Sequence, residues 1–309
     1  MERIARRCLP DGSIRYVHPF HVSMEGKKDA ILFRNDKDYD AMVKIICVCA
    51  KRKNVIVVIY AVVSNHCHVA VLAASQTVAD SYGEEIKRMA SMWLNQRYRT
   101  TGIMRRVDVK ALYLYNDWYA RNALAYIPRN ALDNGCNVVD YPWSGFRAMF
   151  SGSSRLAVGR NRPVKALTKH EKRRLMHTAD KLDDVPWMLD DNRYLIPETV
   201  CDTEYLEQAF EHDQAYFLKT IGGQNSSEMK YKLIDSPRKM QPDGEFLKMA
   251  EESVNRWFGC GIDTLSMERK TRIIPYLNRT VKTSVPQLAR VFGLERAKIS
   301  EILGRKGHR

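Results

Sequence analysis

The hairpin written into residues 55–73 constrains the fold most. An unbroken apolar run, Val55-Ile56-Val57-Val58-Ile59-Tyr60-Ala61-Val62-Val63, leads into Ser64-Asn65 and then into His66-Cys67-His68-Val69-Ala70-Val71-Leu72-Ala73. Two such runs around a two-residue turn read as neighbouring antiparallel strands in a buried sheet. Side chains alternate along a strand, so His66 and His68 share one face and Cys67 takes the other. Two parallel imidazoles on a rigid sheet can hold a divalent cation, and they can equally be strand histidines facing other polar groups.

At 309 residues the chain is long enough for two domains, and an apolar fraction of 45% with five tryptophans marks a folded protein. No apolar run reaches the roughly 18 residues of a membrane span, so no membrane partner is expected. The basic start, Met1 to Arg7, runs into Cys8-Leu9-Pro10-Asp11 without an apolar stretch, which speaks against export. Cysteines at 8, 47, 49, 67, 136, 201 and 260 form no C-x-x-C pair, and a reducing cytoplasm suits them. The net charge of +14 divides into +8 for residues 1–150 (22 Lys/Arg, 14 Asp/Glu) and +6 for the remainder (28 and 22). Such an excess favours a polyanionic partner, nucleic acid before membrane, or serves only as a solubilising surface.

Periodicity orders the first half. Residues 14–24 read as a strand, with Pro19 suggesting an edge or a bulge. Tyr39, Met42, Val43, Ile46 and Ala50 make the apolar stripe of a helix over 36–53. The hairpin follows, then a helix over 78–99 with Ile86, Met89, Ala90, Trp93 and Leu94 inward, and a strand from Val107 to Tyr115. Asn116-Asp117 starts a third helix that stops near Asn134-Gly135. The order β-α-β-β-α-β-α predicts an α+β fold, a ferredoxin-like antiparallel sheet with helices on one face plus an extra helix. Gly152 to Pro163 reads as a linker, and helical pieces are expected around 168–180, 202–220 and 243–258. Leu288, Val291 and Phe292, then Gly293, then Ile299, Ile302 and Leu303 give a helix-turn-helix pattern, which plain helical hairpins share.

On the third helix Tyr126 and Asn130 stand four residues apart and so share a face. Tyr119, Ala123 and Ile127 already supply an apolar stripe, leaving Tyr126 free to project toward the histidines. Pro128 removes one helical hydrogen bond and should kink the backbone beside it. The run Ser64-Asn65-His66-Cys67-His68-Val69, the helix Ala125-Tyr126-Ile127-x-x-Asn130 and the segment Tyr141-Pro142-Trp143-Ser144-Gly145-Phe146-Arg147-Ala148 together resemble the HUH single-tyrosine transposases, of the REP-associated type, over residues 14–152. The chain departs from that family's pattern at Ser64, at Met24-Glu25-Gly26, between Met104 and Lys110 and at Ala131, while the metal and nucleophile positions match.

The resemblance implies an HUH nuclease domain over residues 1–152 that cuts and rejoins single-stranded or hairpin DNA. His66, His68 and Asn130 would hold Mg²⁺ or Mn²⁺, and Tyr126 would be the nucleophile, giving a 5′-phosphotyrosine and a free 3′-hydroxyl. It also implies a bacterial protein of the cytoplasm, associated with the nucleoid. Residues 153–240 form a linker and helical region without an assigned role. Residues 241–309 are expected to form a helical, helix-turn-helix-like DNA-binding domain, and its stretch from Val254 to Leu303 resembles, more faintly, the helical DNA-binding end of bacterial replication initiators. Candidate DNA contacts are Arg97, Arg99, Arg105, Arg106, Lys110 and Arg129 in the first half and Lys282, Arg296 and Lys298 in the second, with Arg269, Lys270, Arg272 and Arg279 nearby. Two rival readings stand beside this one: a non-catalytic DNA-binding regulator on the same fold, and a hydrolase that uses the two histidines to activate water.

Overall fold

The computed structural model describes residues 5–26, 31–133, 136–151, 161–223, 243–281 and 283–304. Its main sheet is antiparallel and comprises β1 (Ala5–Cys8), β2 (Ile14–Glu25), β3 (Ile56–Val63), β4 (His66–Ala73) and β5 (Asp108–Tyr113). Neighbours run β5-β2-β4-β3, and β1 pairs with the first residues of β2. Helix α1 (Asp36–Lys53) joins β2 to β3 and α2 (Gln76–Tyr98) joins β4 to β5, so two crossovers interleave around the central pair. The expected elements between residues 14 and 134 are all present, with ends shifted by no more than two residues. β1 is an addition: Ala5-Arg6-Arg7-Cys8 carries too little apolar character to announce a strand.

Pro19 was expected at an edge or bulge and lies instead in the most central strand. Its carbonyl accepts from Leu114, but it has no N–H to return, and the β5 ladder ends one pair earlier, at Phe20 and Tyr113. The irregularity of the sheet falls on β3, where the register slips between Val57 and Ile59.

Helices α1 and α2 cover one face of the sheet, and the additional third helix takes the other. Gly83 of α2 sits so close to the sheet that a Cβ would meet Val109 and Val22, which belong to the Cys67 face, and Tyr82 of the same helix donates to the Ile46 carbonyl of α1. Helix α3 (Asp117–Asp133) crosses the opposite face, where Asn130 reaches His66. Local chemistry sets the helix starts: Ser75 accepts from Val78 N–H ahead of α2, and Asn116 accepts from Tyr119 N–H ahead of α3.

Beyond residue 160 the chain wraps the same core. A two-stranded ribbon of β6 (Arg162–Pro163) and β7 (Met188–Leu189), and helices α4 (Lys169–Leu175), α5 (Thr203–Ala209) and α6 (Gln214–Gly223), follow in order. Tyr194 packs edge-on against Trp143, Phe217 stacks on Phe146, and Asp202 N–H donates to the Val57 carbonyl. One apolar core therefore runs from Ala5 to Ile221, across the boundary expected near residue 152. The expected linker falls largely outside the described residues, which resume at residue 161.

A second core is built by α7 (Asp243–Phe258), α8 (Met267–Thr280), α9 (Val285–Phe292) and α10 (Arg296–Ile302). Gly293, at φ +62°, makes the turn between α9 and α10 at the point where the sequence asks for it. The two cores meet at Asp243, fully buried, which takes a two-pronged ion pair from Arg290 and a hydrogen bond from Ser64 Oγ. No helix among the described residues is long and apolar enough to cross a membrane.

His177, after α4, lies edge-on to Trp93 at 5.4 Å between ring centroids, and burial, aided by Lys44, lowers its pKa to about 4. An unfolded imidazole titrates near 6.5, so between those values the unfolded chain binds the proton and the folded chain does not. Its contribution to stability is complete above pH 6.5 and is lost as pH falls toward 4, by up to about 3 kcal/mol. Urea midpoints at pH 7.5 and 4.5 should differ less in His177→Asn than in the wild type; equal differences would remove His177 from the acid response.

Candidate active site

Strand register brings the site together before any loop contributes. Across four strands Lys110, Ser23, His68 and Ala61 stand side by side, and next to them Asp108, Glu25, His66 and Val63. His66 and His68 therefore share a face, with ring centroids 5.0 Å apart. His21, on the same face of β2, places its Nε2 3.0 Å from His68 Nδ1. Burial lowers both pKa values, that of His21 to about 4 and that of His68 well below the usual imidazole range, with the neighbouring imidazoles adding to the effect on His68. Neutral rings keep a lone pair for a ligand, and with Nδ1 engaged by His21 a ligand meets His68 through Nε2.

Helix α3 supplies the other wall. Asn130, 1% exposed, donates its amide N–H groups to the carbonyls of Tyr126 (2.9 Å) and Ile127 (3.1 Å), which fixes its Oδ1 toward the sheet. That oxygen stands 3.0 Å from His66 Nε2, while His66 Nδ1 stands 2.8 Å from Asn65 Oδ1. A neutral imidazole has one N–H for these two oxygens. When Nδ1–H goes to Asn65, Nε2 turns a lone pair toward the Asn130 oxygen. Two electron-rich atoms about 3 Å apart match neighbouring corners of an octahedron whose bonds are about 2.1 Å. In that tautomer His66 and Asn130 offer two donor atoms to a hard divalent cation, with His68 on the same face; in the other tautomer Nε2–H simply donates to the Asn130 oxygen. Among the described residues no group of three His, Cys, Asp or Glu side chains is arranged to hold a metal.

Tyr126 lies one helical turn before Asn130 and is 38% exposed, whereas Ala123, Leu124, Ala125 and Ile127 around it are buried. Its ring centroid is 5.2 Å from that of His68 and 6.4 Å from that of His21. Pro128, inside α3, deprives the Leu124 carbonyl of its partner within the same turn. Tyr119, by contrast, packs against Tyr115.

The candidate DNA contacts divide. Lys110 is exposed in the His68 row, and Arg105 and Arg106 are exposed on the segment leading into β5. Arg129 is half-buried beside Asn130, and Arg99 is exposed at the end of α2. Arg97 lies on α2, which covers the other face of the sheet; it pairs with Asp38 and stacks over Trp93. Arg296 is exposed on α10, Lys298 pairs with Glu301, and Lys282 lies outside the described residues. In the same helical unit Lys270 donates to the Phe292 carbonyl.

No model of a known protein family matches the chain, nor does any curated protein or solved structure. The residue that sequence reasoning left aside is His21. It sits in a readable strand, but nothing local says that β2 lies beside β4 or in which register, so its approach to His68 emerges only from the folded sheet.

Proposed function

We propose that this chain is a metal-dependent DNA nuclease and strand transferase of the HUH single-tyrosine type, acting on single-stranded or hairpin DNA through a 5′-phosphotyrosine. The observation that carries the reading is convergence: His66, His68, Asn130 and Tyr126, from a strand and a helix far apart in sequence, meet on one sheet face. The strand order β5-β2-β4-β3, with its two interleaved crossovers, supports the ferredoxin-like form of that sheet. Lys110, Arg105 and Arg106 lend positive charge along β5 and its approach.

A bound Mg²⁺ or Mn²⁺ would polarise the scissile phosphate and offset the charge that develops on it. Tyr126 gives its phenolic proton to water, and its oxygen attacks phosphorus. The bond to the 3′-oxygen breaks, that oxygen takes a proton from water, and the DNA downstream remains on the tyrosine. Asn65 orients His66 through Nδ1–H, and His21 orients His68. The helical unit after residue 243 would place the chain on duplex DNA through α9 and α10. Because the phosphoester energy is kept in the tyrosine linkage, the 3′-hydroxyl can later reverse the step.

Incubation with single-stranded DNA from the flanking locus and Mn²⁺ tests this. A protein band shifted by the mass of the downstream strand is expected, and chelation should abolish it. Cleavage without any protein–DNA linkage would favour water activation instead, and binding without cleavage the regulator.

A further inference from the structure

We infer that α7 and α8 present a stacking surface for single-stranded nucleic acid, centred on Trp257 and Tyr276. The inference does not depend on the nuclease reading. Both rings are solvent-facing, 44% and 36% exposed, and they lie against each other with centroids 4.6 Å apart and planes tilted by 43°. Packing does not require them, because the core behind is already closed by Phe246, Ile273, Leu277 and Phe292.

Charge surrounds the pair. Arg269, Arg272, Tyr276 and Arg279 follow one another at spacings of three, four and three along α8, which sets them on one stripe, and all four are exposed. The stripe spans about 15 Å of helix at 1.5 Å per residue, enough to follow several phosphates. Arg256, exposed, precedes Trp257 on α7. Residues 254–281 hold five Lys/Arg against Asp263 and Glu268 alone. Arg269 is held over the Phe258 ring at 5.4 Å, and Arg279 Nε rests on the Pro275 carbonyl, so two of the guanidinium groups are positioned rather than trailing in solvent.

Aromatic faces interleaved with arginines suit a chain whose bases are unstacked and whose backbone is anionic. Paired duplex offers phosphates but hides its base faces, and an acidic peptide offers charge without flat rings. The surface is therefore assigned to a single-stranded polynucleotide, DNA or RNA, and is distinct from the α9–α10 turn expected to read duplex.

The test uses the full chain in EDTA, where metal-dependent cleavage cannot intervene, titrated with a 15-mer of dT, a 15-mer of rU, a 15-base-pair duplex and an oligo-glutamate peptide. Trp257→Ala and Tyr276→Ala should each weaken dT or rU binding roughly tenfold with the duplex almost unaffected. Loss on either polymer supports the assignment and names the nucleic acid. Trp257→Phe, which keeps a ring, should retain most of the affinity and the wild-type melting temperature. Arg272→Gln should lower the slope of log affinity against log salt by about 0.7 on a single strand. Unchanged single-strand binding in both alanine variants, equal losses on duplex, or tighter binding of oligo-glutamate than of either polymer would overturn the assignment.

Discussion

Arg290→Ala is expected to destabilise the helical unit of residues 243–303 by about 3 to 5 kcal/mol, the usual consequence of stripping a buried charge of its partner. Asp243 is fully buried, and both of its oxygens are met by Arg290, with Ser64 Oγ as a further donor. Removing the guanidinium leaves a carboxylate in an apolar seam, whereas Ser64→Ala removes one hydrogen bond from a carboxylate still paired, at about 1.5 to 3 kcal/mol. Arg290→Lys keeps the charge but not the two-pronged geometry and should fall between. Urea unfolding, with hydrogen exchange to assign the loss to α7–α10, distinguishes these outcomes. A loss under 1 kcal/mol in Arg290→Ala would mean that water reaches Asp243. The same seam anchors the turn before His66, since the Ser64 carbonyl accepts from Leu32 and Phe33.

Loss of either strand histidine should be still more decisive for activity. His66→Ala and His68→Ala are expected to eliminate cleavage at any Mg²⁺ or Mn²⁺ concentration, because each removes an imidazole from the proposed metal clamp. Asn130→Ala should cut activity yet recover in part as metal is raised, water taking the place of the amide oxygen. His21→Ala is expected to retain the metal requirement while shifting it to higher concentration, because His21 orients His68 without being a ligand itself. Titration of activity against Mn²⁺ reads all four variants. Undiminished cleavage in either His66→Ala or His68→Ala would end the metal-clamp interpretation.

How much of this was legible depended on the range of the signal. The pair His66 and His68 was readable because strand alternation is a local rule, and the spacing of Tyr126 and Asn130 because a helical turn is local too. The helix over 36–53 announced itself through Tyr39, Met42, Val43, Ile46 and Ala50, all buried as expected. What stayed hidden was pairing between distant segments. Nothing in the sequence near Pro19 shows that its strand lies at the centre of the sheet, since a proline in a strand usually marks an edge. The extent of the first core was missed for a different reason: residues 161–221 use short helices and a two-residue ribbon, too brief for periodicity, and bind through single aromatics such as Tyr194 and Phe217.

Tyr126 concentrates the claim that these residues form one catalytic site. With Mn²⁺ and a cleavable single strand, the wild-type chain should yield a covalent adduct whose DNA-bearing peptide contains residue 126. Tyr126→Phe, which removes only the hydroxyl of a partly exposed side chain, should give neither adduct nor nicked product while binding the same strand almost as tightly. An adduct of undiminished yield in Tyr126→Phe, or nicking by that variant at the wild-type rate, would contradict it.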